Sequence, residues 1–311
     1  MDHEIKVLLD KSYESLRGGD VAGAAAVLEE ALSVNYENEK VVALLKCSHF
    51  WKDRERTAAG LQDSFEKAEY LLNQWKIFLQ FADRIDGLPG DTLPVFKHFV
   101  CTACLGHYQT FIGDNPALKD PDVLLQIGRC YKGKGEFDRA LQHFEAAHQL
   151  RREDAAILSE LADCYSLINE AQKAKAFFRE AFFINPQKID VRSLESRMMQ
   201  LVIEKVREQG HASPLLEEWI PVYAVVYGVF SVKRELRSIE YGKLKQSIYS
   251  MEVELRESGN QANPALVPRL LYRYFWLVDH YVSTKEDQER IFEILLKIKN
   301  LNREIYEQYT K

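Results

Sequence analysis

Hydrophobic positions along this chain repeat at a fixed distance. Leu124, Ile127, Gly128, Tyr131, Ala140, Phe144 and Ala147 are followed 34 residues later by Leu158, Leu161, Ala162, Tyr165, Ala174, Phe178 and Ala181, each pair matched in size and polarity. The apolar spacing within each set is helical, and Gly133-Lys134-Gly135 and Ile168-Asn169 break it at equivalent points. The pattern predicts two helical hairpins, residues 122–132 with 136–150 and residues 154–167 with 170–184. A period of this length marks a stacked-repeat architecture, in which each unit buries its apolar face against its neighbours.

The echo is fainter on either side. Gly19, Ala24, Leu28 and Ala31 stand 116 residues before Gly135, Ala140, Phe144 and Ala147, with Ser12 and Ser15 where a small residue and an aromatic are expected. Ala68, Leu72 and Trp75 have comparable spacing and predict a divergent hairpin with its turn at residues 54–60. After Pro186 no repeat aligns. Residues 191–209, 214–232, 234–257, 265–282 and 286–308 read as long helices rich in Tyr, Trp and Ile, one of them kinked at Pro221. Asp120-Pro121, Ser213-Pro214 and Asn263-Pro264 read as helix starts, Gly18-Gly19 as a tight break, and residues 83–90, 113–121 and 257–264 as the longer connections. Strand-like alternation is never sustained, so the fold class is all-α.

Residue by residue, the two central hairpins resemble the tetratricopeptide repeat, whose 34-residue unit is a pair of antiparallel helices. The family's small residue at the helix crossing is matched by Gly128 and Ala162, and its aromatic by Tyr131 and Tyr165. Its small-aromatic-small series is matched by Ala140-Phe144-Ala147 and Ala174-Phe178-Ala181; its closing proline is Pro186, with Arg152 in the earlier unit. A small residue at a crossing lets two helix axes approach, and an aromatic fills the space beside it. The resemblance covers residues 121–188 and, more loosely, 5–82. It implies a right-handed superhelical solenoid of antiparallel helix pairs with a C-terminal helical extension. Three regions follow: residues 1–86 as divergent repeat-like helices, 91–188 as the central repeats with a preceding helix, and 189–311 as an extension or cap.

Composition narrows the function. With 46% hydrophobic and 28% charged residues the chain reads as an ordinary folded protein. A net charge of −6 without a basic cluster argues against nucleic-acid binding. The N-terminus MDHEIKVLLD lacks the basic and apolar blocks of an export signal, and the longest apolar run, residues 219–230, is too short to span a bilayer. Five scattered cysteines, Cys47, Cys101, Cys104, Cys130 and Cys164, favour a reducing, cytoplasmic setting over a disulfide framework.

The sharpest chemical pattern is His98-x-x-Cys101-x-x-Cys104-x-x-His107, all zinc-ligand types. On a helix each three-residue step turns by about 300°, so the four side chains fan out rather than converge. Cys101 and Cys104 therefore read as small buried hydrophobes, and no metal or cofactor is expected. A redox Cys-x-x-Cys needs a preceding strand, which this segment lacks. Cys130 and Cys164 hold equivalent repeat positions, which implies packing. Walker, Gly-x-Gly-x-x-Gly, His-Glu-x-x-His and Gly-x-Ser-x-Gly patterns are missing, Gly133-Lys134-Gly135 reads as a helical turn, and Glu217-Glu218 as a solvated face. The chain is not expected to be an enzyme.

In the family the first helix of each pair lines a concave face. Setting the packing residues aside leaves Leu125, Arg129 and Lys132 on the first central hairpin and Ser159, Asp163 and Ser166 on the second. The N-terminal equivalents are Leu9, Tyr13 and Leu16. Such a mixed stripe suits a peptide or helix laid along a groove. The Lys/Asn clamp of co-chaperone members is not matched, because Arg129 and Asp163 stand there. A second candidate surface is the C-terminal helix. A capping box at Ser283-Thr284-Lys285-Glu286 opens it, and Ile291, Ile294, Ile298, Leu301 and Ile305 follow at heptad-like spacing. Such a stripe usually packs on its own protein, and otherwise makes an oligomer. The cluster Tyr272-Arg273-Tyr274-Phe275-Trp276 reads as a buried helix. The expected function is a non-catalytic scaffold whose partner is another protein or a peptide segment, without membrane insertion. A self-assembling component, and an enzyme with its site in the C-terminal half, are the alternatives.

Overall fold

The computed structural model describes residues 2–115, 119–258 and 263–311, all helical or irregular and without a strand among them. Two compact units divide the chain, Met1–Leu150 and Arg151–Lys311.

The first unit holds α1 (Asp2–Arg17), α2 (Val21–Val34), α3 (Glu39–Ala59), α4 (Ser64–Ala82), α5 (Thr92–Asp114), α6 (Pro121–Gly133) and α7 (Phe137–Leu150). Side-chain caps start four of them: Asp20, Asn38, Asp63 and Asp120 each accept a backbone N–H of the first turn. In α6–α7 the crossing is as close as the sequence implies, since the Phe144 ring fills the place where a Cβ on Gly128 would stand. The first five helices depart from an open stack. Each packs on the next, and α5 returns to α1, closing them around one core. Trp51 is its centre, meeting Phe78 at 5.3 Å and Phe99 at 6.0 Å between ring centroids. The turn expected at residues 54–60 lies later: Arg54 to Ala59 remain in α3, and the chain reverses between Gly60 and the capping Asp63.

The second unit holds α8 (Ala155–Leu167), α9 (Ala171–Ile184), a single 3₁₀ turn (Pro186–Lys188), α10 (Arg197–Glu208), α11 (Leu215–Val226), α12 (Ser238–Ser258), α13 (Leu266–Ser283), α14 (Gln288–Leu301) and α15 (Arg303–Tyr309). Helix α13 packs against α11, α12 and α14, with Tyr272, Tyr274, Phe275 and Trp276 all buried as the sequence suggested. A buried ion pair, Arg179 with Asp279, ties α9 to α13, and Lys233 reaches the same carboxylate at 2.8 Å. Tyr272 donates its hydroxyl proton to the Arg179 carbonyl at 2.7 Å.

One turn closes α1, α6 and α8 alike, among other helices of the chain. Gly19, Gly135 and Asn169 take left-handed φ values of 85°, 79° and 64°. After each, an N–H reaches back five residues: Asp20 to Ser15, Glu136 to Tyr131, Glu170 to Tyr165, at 2.8–2.9 Å. This is the Schellman closure of a helix C-terminus. The α1–α2 hairpin thus shares its turn with the two aligned repeats, although Ser12 and Ser15 replace the usual packing residues.

Other boundaries differ from expectation. Residues 227–237 are not helical, because Gly228 at φ 70° ends α11 and the N–H groups of Val229 and Phe230 fold back onto the Ala224 carbonyl. Residues 191–196 precede α10, which Ser196 caps. The segment 286–308 is two helices, since Asn302 ends α14 and caps α15. The expected capping box belongs instead to the end of α13, with Lys285 left-handed at φ 55°; Asp287 caps α14. The connections read at 113–121 and 257–264 lie partly outside the described residues, while Gly113 and Asp114 still belong to α5. The boundaries read after residues 86 and 188 fall inside the units, because α5 packs on α1 and α4, and α9 on α11.

Candidate functional site

The first-helix stripe splits between the units, and most of it is packed. On α1, Leu16 is fully buried, and Leu9 and Tyr13 lie half-buried against the core. Tyr13 donates its hydroxyl proton to Asp91 at 2.9 Å, and burial with that carboxylate pushes the phenol's pKa up. On α6, Leu125 and Lys132 are buried, while Arg129 is half-buried and donates weakly to Gln126 at 3.5 Å.

On α8, Ser159 and Asp163 are buried and Ser166 is half-buried. The reason is an irregular segment, helical by expectation only from residue 191 onward. Residues 189–196 run back across α8, where both Asp163 oxygens accept the Glu195 N–H, at 3.1 and 2.9 Å, and Oδ1 accepts the Ser196 N–H at 2.8 Å. Ser193 Oγ donates to the buried Glu160 carboxylate at 3.3 Å. The groove expectation needs Asp163 and Ser159 open; instead Asp163 is buried under the backbone of Glu195 and Ser196, and Ser159 is buried as well.

The C-terminal stripe is also internal. Ile294, Ile298 and Ile305 are buried in the second unit's core, and Ile291 and Leu301 pack half-buried against it. Helix α14 instead presents Phe292 and Leu296 outward.

The His/Cys run lies on the unbroken helix α5, and among the described residues no group of three or more His, Cys, Asp or Glu could hold a metal ion. Cys101 and Cys104 are buried, with Cys104 Sγ 3.6 Å from the Ala68 carbonyl. Cys101 Sγ sits 2.6 Å from where a Gly133 Cβ would be, so Gly133 is the residue that lets α6 approach α5. Cys130 meets both thiols. Contact with Cys101 lowers its pKa, contact with Cys104 and burial raise it, and it ends well above the ordinary thiol range. Burial lowers the pKa of His98 and His107, helped by Lys134 and Arg17 at the first and Lys67 at the second. These groups are packed against their neighbours, poor material for nucleophilic or redox work.

The sequence reading missed an open groove of about 380 Å³ between α3 and α4. Its floor is Phe50 and Phe81, stacked at 5.0 Å with 28° between planes, and the exposed Ile77 lies at one side. Three cations line it: Lys46 and Arg54 on α3, and Arg84 just beyond α4. Arg54 lies over the Phe50 ring at 3.7 Å, and among the described residues no carboxylate comes within 4 Å of any of the three. The acid in the lining, Asp53, already faces Arg56 at 3.7 Å, and His49 faces Glu29 at 3.4 Å. The signal was present in the sequence: Lys46, Phe50 and Arg54, and Ile77 and Phe81, recur at four-residue spacing along one helix face each.

No helix among the described residues is long and apolar enough to cross a membrane. The family model of the tetratricopeptide repeat matches residues 131–198. The chain is also similar to the peroxisomal targeting signal receptor of Saccharomyces cerevisiae, with 21% identity over 167 residues. That match takes in 54% of this chain and 26% of the receptor, so the chain corresponds to about a quarter of its relative's length.

Proposed function

We propose that this chain, which carries tetratricopeptide repeats over residues 131–198, is a non-catalytic protein-interaction module that holds an acidic segment of a partner protein in the groove between α3 and α4. The groove carries the reading. Lys46, Arg54 and Arg84 outnumber the single carboxylate of the lining, Asp53, and give the groove a net positive field on a floor of stacked rings. Each exposed charge adds little affinity by itself, roughly 0–1 kcal/mol. Together they steer a negative segment inward, and burial of an apolar side chain on Phe50 and Phe81 supplies the hold. The relative is named as the receptor of a targeting signal, and capture of a short segment is the corresponding role for this chain.

The first-helix stripe is the lesser seat, because Leu16, Leu125, Lys132, Ser159 and Asp163 are buried. Self-assembly through residues 286–308 loses its main support with Ile294, Ile298 and Ile305 in the core, where the aromatic residues of α13 are buried as well. Selection from a random peptide display library against the whole protein tests the proposal. Enriched peptides are expected to combine Asp or Glu with an aromatic residue, and the enrichment is expected to vanish for the K46E/R54E/R84E variant. Equal recovery of acidic and basic peptides, or recovery unchanged by the variant, counts against it.

A further inference from the structure

A separate cavity of about 200 Å³ opens within the second unit, between the end of α9 and helices α11, α12 and α13. Its charges do not balance. Arg269 and Arg273 both line it, one turn apart on α13, where like charges repel. The buried Glu218 of α11 pairs with Arg269 through two contacts, one of them Nε to Oε2 at 2.9 Å, and also accepts a hydrogen bond from Gln187 Nε2 at 2.9 Å.

Arg273 has no such partner. Its Nε donates to Ser247 Oγ at 2.7 Å and its Nη1 weakly to the Arg269 carbonyl at 3.4 Å. Its guanidinium lies 5.9 Å from the centre of the Phe183 ring, and among the described residues no carboxylate comes within 4 Å. Burial, and then the neighbouring Arg269, pull its pKa below the ordinary arginine value. A half-buried guanidinium with no carboxylate in direct contact, its nearest acid Glu218 being already paired with Arg269, leaves room for an anion.

Asn185 supplies a second donor. Asn185 lines the same cavity; its Oδ1 accepts the Gln187 N–H at 3.0 Å, and its Nδ2 group has no hydrogen-bond partner among the described residues. The remaining wall includes Phe183, Pro221 and Met251, which offer apolar contact only.

We infer that this cavity binds a compact monocarboxylate, with the carboxylate on Arg273 and the Asn185 amide and the apolar body against Phe183, Pro221 and Met251. The lining sums to one positive charge, two arginines against one glutamate, which matches a monoanion. A dianion such as phosphate would meet the Glu218 carboxylate and lack further donors. At roughly 30 Å³ of liquid volume per water, the space admits a body of only a few heavy atoms.

Calorimetric titration of the whole protein with isovalerate, isovaleramide and inorganic phosphate at equal ionic strength tests this. Isovalerate is expected to saturate a single site, with the neutral amide and phosphate each at least about tenfold weaker, the scale of one charge-assisted set of hydrogen bonds. Arg273→Gln is expected to abolish that preference. Asn185→Asp keeps the acceptor for the Gln187 N–H and replaces the amide donor by a negative charge. It is expected to remove isovalerate binding with the fold intact, so the inference stands or falls even if Arg273→Gln does not fold. Equal binding of acid and amide, tighter binding of phosphate, or undiminished binding by Asn185→Asp overturns it.

Discussion

The carboxylate of Asp163 accepts the backbone N–H of Ser196 at 2.8 Å across 33 residues of chain, and in doing so lays residues 189–196 over α8. The charge that the repeat pattern offers to a ligand is used at home: Asp163 fixes the residue that caps α10. Asp163→Ala removes the carboxylate that accepts the N–H groups of Glu195 and Ser196. A loss of about 3 kcal/mol is expected, with a smaller loss for Asp163→Asn, which keeps one acceptor oxygen. Amide hydrogen exchange checks the mechanism: protection of Glu195 and Ser196 should fall sharply while that of α9 persists. Retained protection in Asp163→Ala would show that other contacts hold the segment.

The crossing of α6 and α7 gives a packing prediction. A methyl group at Gly128 meets the Phe144 ring, whereas the matching position of the next hairpin already carries a methyl as Ala162. Gly128→Ala is expected to cost about 2 kcal/mol in urea unfolding, as overpacked sites do. With Phe144→Leu in the same chain the methyl gains room, so the double variant should cost less than the sum of the singles. Strict additivity would contradict the close approach.

Acid sensitivity should have a local source at Glu240. Hydrogen bonds from Arg234, then Arg237, hold its carboxyl at about 2 against an ordinary 4.5. A depressed carboxylate stabilises the fold fully above pH 4.5, and the contribution fades as pH falls toward 2. The side chain keeps 26% of its surface exposed, so solvent screening holds the effect to about 1 kcal/mol or less. Glu240→Gln is expected to lower stability at pH 7 and to flatten the pH profile between 4.5 and 2. A variant profile parallel to the parent's would assign the acid response elsewhere.

What the sequence displayed was local. Gly19, Gly135 and Asn169 announced three hairpin turns because a left-handed residue is a one-position requirement, and the paired Ala-Phe-Ala series announced the crossings because packing repeats with the period. The cover over α8 was hidden, since the partners of Asp163 are backbone N–H groups, which any residue supplies. The closed ring of α1 to α5 was hidden too, because Trp51, Phe78 and Phe99 say that a core exists without saying which helices share it. Asn302 could have been read as a cap dividing the last segment, but the isoleucine spacing runs through it in register. The groove cations were visible as spacing on α3. Only the fold brings Arg84, thirty residues beyond Arg54, to the same rim.

The central claim is that Lys46, Arg54 and Arg84 receive an acidic segment. Fluorescence anisotropy of a labelled peptide containing Asp, Glu and one central Phe, titrated with the whole protein at rising salt, tests it most directly. The account predicts saturable binding that weakens steadily with salt, falls about tenfold or more in K46E/R54E/R84E, and weakens when the Phe becomes Ala. Affinity that ignores salt and survives the triple charge reversal in a folded variant would contradict it.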